Sequence, residues 1–177
     1  MIFAENLSLL RSGRPLFEKA SFTLHPGWKV GLTGNNGCGK SSLFALLRRE
    51  LQADAGTLTR PAVWTVAHMA QEVEALDQQA IEYVLDGDAE WRQLDVRLND
   101  LDGLDGTEMG NLFARYESID GYTARSRAAQ LLAGLGFTEA DQQRPVAEFS
   151  GGWRMRINLA QTLMCRSDLL LLDEPTN

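Results

Sequence analysis

The sequence predicts an α/β fold with a β-rich N-terminal part and an inserted helical part. In the first third of the chain, short apolar runs alternate with Gly and Pro turn signals, which is typical of strands. A glycine-rich loop lies between one such run and a segment with helical spacing, and helical spacing returns from residue 80 onward. A chain of 177 residues with 44% hydrophobic content is long enough to bury one sizeable core.

The strands are predicted from apolar runs bounded by turn residues. A turn at residues 11–15 separates the first two strands, and His25-Pro26-Gly27 marks the turn before the third. Arg60-Pro61 interrupts the next pair. The predicted strands are residues 2–9, 20–24, 28–33, 57–59 and 63–69, with a buried strand at residues 169–172.

The helices are predicted from apolar side chains that recur every three or four residues. One helix, residues 40–51, follows the glycine loop, and two amphipathic helices form a hairpin around the turn at residues 102–106. The next helix ends at Gly136, because a left-handed helix end favours glycine. Ser150 is the expected N-cap of the last helix, residues 151–165.

The glycine loop has the spacing G-x-x-x-x-G-K-[ST] of a P-loop, in Gly34-Asn35-Asn36-Gly37-Cys38-Gly39-Lys40-Ser41. Small residues let backbone N–H groups face the phosphates of a nucleotide, the lysine reaches the β- and γ-oxygens, and the serine ligates magnesium. A preceding strand and a following helix are the context that this motif requires. The loop therefore predicts a site for ATP with Mg²⁺.

Two acidic residues follow the last predicted strand. Asp173 and Glu174 come directly after four leucines, so a core strand would deliver both carboxylates to the edge of the sheet where phosphates bind. We expect Asp173 to hold the magnesium ion and Glu174 to act as the general base that polarises the attacking water. Without the glycine loop, the same pattern would fit a core strand that ends in a solvated acidic turn.

A third motif, Ser150-Gly151-Gly152, stands at a predicted helix start. Exposed N–H groups and the helix dipole attract anions there, so the motif predicts a second phosphate-binding helix start in the same chain. Taken alone, a serine followed by two glycines would more often be an ordinary helix cap.

The order of these motifs resembles an ATP-binding cassette: the glycine loop, Gln71, the Ser150-Gly151-Gly152 signature, then Asp173-Glu174. The chain is more specifically similar to the first cassette of the ABC-F family, through residues 37–41, 149–156 and 173–177. This implies a P-loop NTPase of the ATP-binding cassette type, with an N-terminal β-rich subdomain and an inserted helical subdomain or arm. We expect a single truncated cassette with a β-rich P-loop core at residues 1–79, helices with the arm at 80–148, and the signature helix and last strand at 149–177.

The resemblance also assigns site residues. Gln71 would contact magnesium and the attacking water, although an ordinary polar strand end is the alternative. Cassettes commonly stack adenine on an early aromatic residue, and here Arg11 stands at that position, where a guanidinium can stack on a base. The implied nucleotide-binding set is residues 34–41 with Ser42, Arg11 and the signature; the catalytic set is Glu174, Lys40 and Gln71; the metal ligands are Ser41, Gln71 and Asp173.

In the mechanism that the resemblance implies, two cassettes sandwich ATP, so the glycine loop of one faces the signature of the other. The isolated chain is then expected to bind ATP and to need a second cassette, on the same full-length chain or in a dimer, for hydrolysis. ABC-F proteins are soluble and act on the ribosome in translation. Trp153 stands where transporter cassettes commonly have Gln, which points away from transport. The subunit of a membrane transporter, or an ATP-dependent clamp on DNA or a protein complex, are the alternatives.

Charge is distributed unevenly along the chain. Residues 86–120 carry ten acidic and three basic side chains, so the net charge of this segment is −7, the same as that of the whole protein. This acidic segment lies within the helical stretch from about residue 80 to 127, which would include the arm that the resemblance implies or, alternatively, would be the ordinary helical subdomain of any cassette. Because acidic side chains disfavour contact with RNA phosphates, an arm contact with the ribosome would use local arginines, protein surfaces or the tip near Leu104.

Composition favours a cytoplasmic protein without stable membrane insertion. No apolar run approaches the ~20 residues of a spanning helix, and the N-terminus lacks the features of a secretion signal. Cys38 and Cys165 lack the spacing of metal ligands, so both are expected to be reduced thiols. The sequence ends at Asn177, before the histidine and strands that typically follow in ABC-F cassettes, so we expect a piece of a longer protein.

Overall fold

The computed structural model describes residues 1–69 and 73–173, which form two compact units. The first unit is Met1–Val66 and the second begins at Ala67. Gln71 and Glu174 lie outside the described residues, so the roles predicted for them stay predictions. No helix of the described part has the length and apolar character needed to cross a membrane.

The first unit contains a three-stranded antiparallel sheet in the order β2-β1-β3. Strands β1 (Ile2–Arg11) and β2 (Arg14–Leu24) form a hairpin, because Ser12 and Gly13 both adopt positive φ values, as a two-residue hairpin turn requires. Strand β3 (Ala55–Thr59) pairs with the other edge of β1, with Phe3 opposite Thr59. Helix α1 (Lys40–Arg48) contributes Leu46 to the core beneath β1.

The strand predicted at residues 28–33 is absent from the first unit. A strand is held by hydrogen bonds to a neighbouring strand, and among the described residues no strand pairs with this segment. Its large apolar side chains are exposed, with Trp28 at 61% and Val30 at 58%. Apolar runs therefore predicted strands correctly only where a neighbouring strand is present to pair with them.

The second unit is mainly helical. Its helices are α2 (Ala80–Leu85), α3 (Ala89–Asn99), α4 (Gly106–Ser118), α5 (Ala124–Gly134), α6 (Glu139–Gln142) and α7 (Gly151–Met164). The short strands β4 (Val66–His68) and β5 (Leu169–Leu171) are hydrogen-bonded neighbours. The predicted helical hairpin is confirmed as α3 and α4, and Asp105 begins α4 with a capping box.

One apolar core holds the second unit together, formed by α2, α5, α7 and the base of the α3–α4 hairpin. The indole of Trp91 closes that base, because its Nε1–H donates to Tyr116 Oη at 3.1 Å and to the Gly121 carbonyl at 3.0 Å. The segment before α7 is also tied to the segment before α2. The amide of Ala80 donates to the Arg144 carbonyl at 2.9 Å, and the amide of Ala147 donates to the Leu76 carbonyl at 2.8 Å.

Candidate nucleotide-binding site

The Lys40 ammonium lies within the glycine loop. Lys40 is the first residue of α1, and its Nζ donates to the carbonyl oxygens of Gly34 at 2.8 Å and Asn35 at 3.3 Å. The loop is also closed by the amide of Cys38, which donates to the Asn35 carbonyl at 3.2 Å. A positive charge is therefore held at the N-terminal end of a helix, where the helix dipole also favours an anion.

Two glycines of the loop have backbone conformations that other residues rarely adopt. Gly37 has a φ of 79° and Gly39 a φ of 104°. A side chain at Gly39 would also meet Phe17 and Leu16 of β2, because a Cβ there would lie 3.0 Å and 3.1 Å from their nearest atoms. Gly39 is thus required by both conformation and space, whereas a Cβ at Gly37 meets nothing within 4 Å.

The two serines after Lys40 lie in the first turn of α1. The first backbone bond of the helix runs from the Leu43 amide to the Gly39 carbonyl at 2.9 Å, so the amides before Leu43 face the N-terminal end of the helix. This is where phosphate oxygens bind to P-loops. Ser41 and Ser42 stand at the positions expected for a metal-ligating hydroxyl and a phosphate contact.

Asp173 lies in the second unit, two residues after β5, and is half-buried. The strand that delivers it is confirmed, although it ends at Leu171. Hydroxyl, carboxylate and amide oxygens are the donors that Mg²⁺ prefers, so the side-chain types of Ser41, Asp173 and Gln71 suit the ligand roles predicted for them. The prediction that these residues share one ion stays a prediction.

Arg11 is the last residue of β1 and is exposed. It stands opposite Arg14 across the hairpin turn. The Arg11 side chain is therefore at the surface of the first unit. Stacking of a nucleotide base on Arg11 stays a prediction.

The signature turn, Ser150–Gly152, begins α7 with exposed backbone. Ser150 is the N-cap residue, as predicted, but its hydroxyl makes no capping hydrogen bond to the helix. Gly151 and Gly152 are exposed, and the first helical bond runs from the Arg154 amide to the Ser150 carbonyl at 2.9 Å. The turn therefore presents a hydroxyl and helix-end amides to solvent, which suits binding of a phosphate.

Sequence reasoning missed two residues that support the signature turn. The Phe137 ring lies edge-on to the rings of both Phe149 and Trp153, which flank the turn. The Arg144 guanidinium lies over the Phe149 ring at 4.7 Å. The only local signal was Gly136, which ends α5 with a φ of 95° immediately before Phe137.

Two of the three arginines in the acidic segment are engaged within the protein. Arg92 pairs with Glu82 at 2.9 Å and with Asp86 at 2.5 Å, and Arg115 pairs with Glu90. Burial would raise the pKa of the Glu82 carboxyl, but hydrogen bonds from Arg92 and Arg125 lower it overall. These carboxylates would compete with RNA phosphates for Arg92 and Arg115, and an arm contact through local arginines stays a prediction.

Comparison with known proteins gives consistent matches. Residues 17–177 match the family model described as ABC transporter. The chain is 53% identical over 178 residues to the probable ATP-binding protein YheS of Escherichia coli K12, covering 100% of this chain and 28% of that protein. It is 40% identical over 182 residues to human ATP-binding cassette sub-family F member 3, covering 98% of this chain and 25% of that protein. The chain thus spans about a quarter of the length of these curated relatives.

A solved structure shares the fold. The chain superposes on a nucleotide-free ATP-binding cassette from an ABC transporter with a TM-score of 0.65 and 19% identity, over 100% of this chain and 70% of that one. At this identity the likeness concerns the fold alone.

Proposed function

Because this chain belongs to the ABC transporter family, and within it to the ABC-F group, we propose that it binds ATP with Mg²⁺ in the glycine loop and hydrolyses it when a second cassette completes the site. The observation that carries the proposal is the Lys40 ammonium, held within the loop 2.8 Å from the Gly34 carbonyl. On binding of ATP, this ammonium would transfer its hydrogen bonds from the loop carbonyls to the β- and γ-phosphate oxygens.

The remaining roles follow the chemistry of each side chain. Ser41, Asp173 and Gln71 would hold Mg²⁺, which when bound neutralises charge on the β- and γ-phosphates. Glu174 would accept the proton of the attacking water, and Gln71 would also orient that water. Arg11 would stack on the base.

The signature turn would act on ATP bound to a second cassette. The Ser150 hydroxyl, which does not cap α7, and the exposed amides at Gly151 and Gly152 would contact the γ-phosphate. One chain thus contributes half of each of two sites. We expect hydrolysis by the isolated chain to be weak or absent, and multiple turnovers by a strictly monomeric chain would contradict this.

We also propose that residues 1–177 are one cassette of a longer, two-cassette protein that acts on the ribosome in the cytoplasm. The similarity to ABC-F relatives supports this role, and Trp153 in the signature separates the chain from the usual transporter pattern. A transporter subunit and a clamp on DNA or a protein complex are the competing functions.

The binding step is tested by calorimetry with Mg-ATP on the chain and on its Lys40→Ala variant. We expect heat of binding from the wild type and its loss from the variant. Identical curves for the two proteins, with or without heat, would overturn the assignment of the glycine loop.

The ribosomal role is tested by sedimentation of the full-length protein with ribosomes. Glu174→Gln should stop hydrolysis and hold the two cassettes closed, so the variant should cosediment with ribosomes when ATP is present. The matched control, Glu174→Gln combined with Lys40→Ala, should stay in the supernatant. Absence of ATP-dependent cosedimentation would favour one of the competing functions, and copurification with a membrane protein would identify the transporter.

A further inference from the structure

We propose that Phe137 is a positioning residue for the signature turn: its ring holds both flanks of Ser150–Gly152 and so sets the direction of the turn's phosphate-binding groups. The inference rests on the proposed function, since it assumes that the signature contacts ATP on a second cassette. Phe137 itself touches no substrate. It acts through the two aromatic residues on either side of the turn.

The signature turn cannot hold its own orientation through side chains. Added Cβ atoms at Gly151 and Gly152 would meet nothing within 4 Å, so the backbone there stands in open space. The Ser150 hydroxyl makes no capping bond that would anchor it to α7. Glycines also have the widest conformational freedom of any residue. The geometry of the turn must therefore be imposed by the residues that precede and follow it.

One ring contacts both of those residues. The centroid of the Phe137 ring lies 5.5 Å from that of Phe149, with an interplanar angle of 70°. The centroid of the Trp153 ring lies 4.8 Å from that of Phe137, with an angle of 79°. Both are edge-to-face arrangements of the kind that aromatic pairs favour. Phe149 immediately precedes the turn and Trp153 immediately follows it, so Phe137 bridges the two flanks.

Phe137 is itself firmly placed. Helix α5 ends in a left-handed turn at Gly136, and the Phe137 amide donates to the Leu132 carbonyl at 3.1 Å. The side chain is 3% exposed and belongs to the core of the second unit. Its ring is therefore held by the end of α5 and by the core of the second unit, which also includes Phe149.

An arginine also lies over each of the two flanking rings. The Arg144 guanidinium lies over Phe149, and that arginine is fixed by ion pairs of 3.0 Å to both Asp141 and Glu148. The Arg156 guanidinium lies 4.7 Å above the Trp153 ring. Each flanking ring is thus contacted by an arginine as well as by Phe137. The exposed glycine turn is therefore flanked on both sides by side chains that pack against other residues.

Phe137→Leu in the full-length protein tests the inference. Leucine keeps most of the buried apolar volume but loses both edge-to-face contacts. We expect kcat for ATP hydrolysis to fall about 5- to 50-fold, the change in rate that corresponds to losing one to two such contacts. Binding of Mg-ATP to the glycine loop, measured by calorimetry, should stay within about two-fold of the wild type, because the loop lies in the other unit.

Two further variants make the outcome decisive. Ile119→Val removes a buried methylene from the same core. Ile119 lies away from the signature turn, since its backbone carbonyl accepts a hydrogen bond from Arg166, which follows the opposite end of α7. This control should lose similar stability but keep kcat. Ser150→Ala should lower kcat if the signature acts on ATP. An unchanged kcat for Ser150→Ala would contradict the part of the proposed function in which the signature turn acts on ATP. The positioning role would be overturned if Ser150→Ala lowered kcat but Phe137→Leu did not, or if Phe137→Leu and Ile119→Val lowered kcat equally.

Discussion

Replacing Asp88 should destabilise the second unit, because one buried carboxylate serves three groups. The side chain is 4% exposed. Its Oδ1 accepts the amide of Trp91 at 3.1 Å and so caps α3. Its Oδ2 accepts hydrogen bonds from Arg127 at 2.9 Å and from Arg166 at 3.2 Å. Asp88 therefore joins the start of α3 to α5 and to the segment after α7.

The magnitude follows from these contacts. Loss of an N-cap costs about 1 kcal/mol. Removing one partner of a fully buried ion pair costs about 3–5 kcal/mol, but the side chains of Arg127 and Arg166 are 31% and 40% exposed, so water recovers part of their solvation. We therefore assign about 1–2 kcal/mol to the lost charge. Asp88→Ala should lower the free energy of unfolding by about 2–3 kcal/mol, and Asp88→Asn, which keeps a capping oxygen, by about 1–2 kcal/mol.

Urea denaturation followed by circular dichroism measures both values. The control is Asp95→Ala, which removes a surface carboxylate 3.9 Å from Arg92 and should cost less than about 0.5 kcal/mol. If Asp88→Ala were no worse than Asp95→Ala, the charge argument would be refuted. Equal losses for Asp88→Ala and Asp88→Asn would refute the capping contribution.

Three other predictions concern the glycine loop, the thiols and the hairpin base. Gly39→Ala should weaken Mg-ATP binding about ten-fold or more and lower the free energy of unfolding by about 1–2 kcal/mol. Gly37→Ala, where the added Cβ meets nothing within 4 Å, should lower the free energy of unfolding by about 1 kcal/mol or less. Calorimetry measures the affinities and denaturation measures the free energies of unfolding. N-ethylmaleimide should label the exposed Cys38 before Cys165, because burial, together with a nearby carboxylate, raises the pKa of the Cys165 thiol, so its thiolate forms only at higher pH. Mg-ATP should protect Cys38 from labelling. Peptide mass spectrometry measures the labelling of each thiol. Trp91→Phe should lower the free energy of unfolding by about 0.5–1.5 kcal/mol, because it removes the indole hydrogen bonds to Tyr116 Oη and to the Gly121 carbonyl, while that carbonyl keeps the Ala124 amide as a donor.

Specific outcomes would contradict these expectations. Equal losses of ATP affinity in Gly39→Ala and Gly37→Ala would show that the space around Gly39 is unimportant. Equal labelling of both thiols at neutral pH, or a rate of Cys38 labelling that does not change when Mg-ATP is added, would contradict the expectation for the two cysteines. An unchanged unfolding free energy for Trp91→Phe would show that the hairpin base does not depend on the indole bond.

Elements whose signal lies within a few residues were predicted well. Ser12-Gly13 has the turn chemistry of a hairpin, and Gly136 ends α5 in the left-handed conformation expected of glycine. Helix α7 begins after Ser150, as its cap pattern predicts. Helix α1 was predicted three residues too long, because Arg49 adopts a left-handed conformation with a φ of 65° and ends it at Arg48. Capping and apolar spacing act over one or two turns, which is why local patterns carry this information.

Contacts between distant residues could not be predicted in this way. In the sequence Asp88 is one of ten acids in an acidic segment, and only the fold brings to it Arg127 and Arg166, which lie 39 and 78 residues away. The strand predicted at residues 28–33 depends on a neighbour that a local pattern cannot supply. Each case depends on chain segments that meet only after folding.

The sequence by itself determined the phosphate-binding chemistry of the glycine loop, because that motif is a contiguous stretch of backbone with its lysine and serine attached. It also determined the order of motifs by which the family is recognised. Only the tertiary structure decided that Ser150 leaves its hydroxyl uncommitted to capping and that Phe137 bridges the flanks of the signature turn. The Phe137 bridge arises where the end of α5 packs against the start of α7, and packing between separate helices is not encoded in any short stretch of sequence.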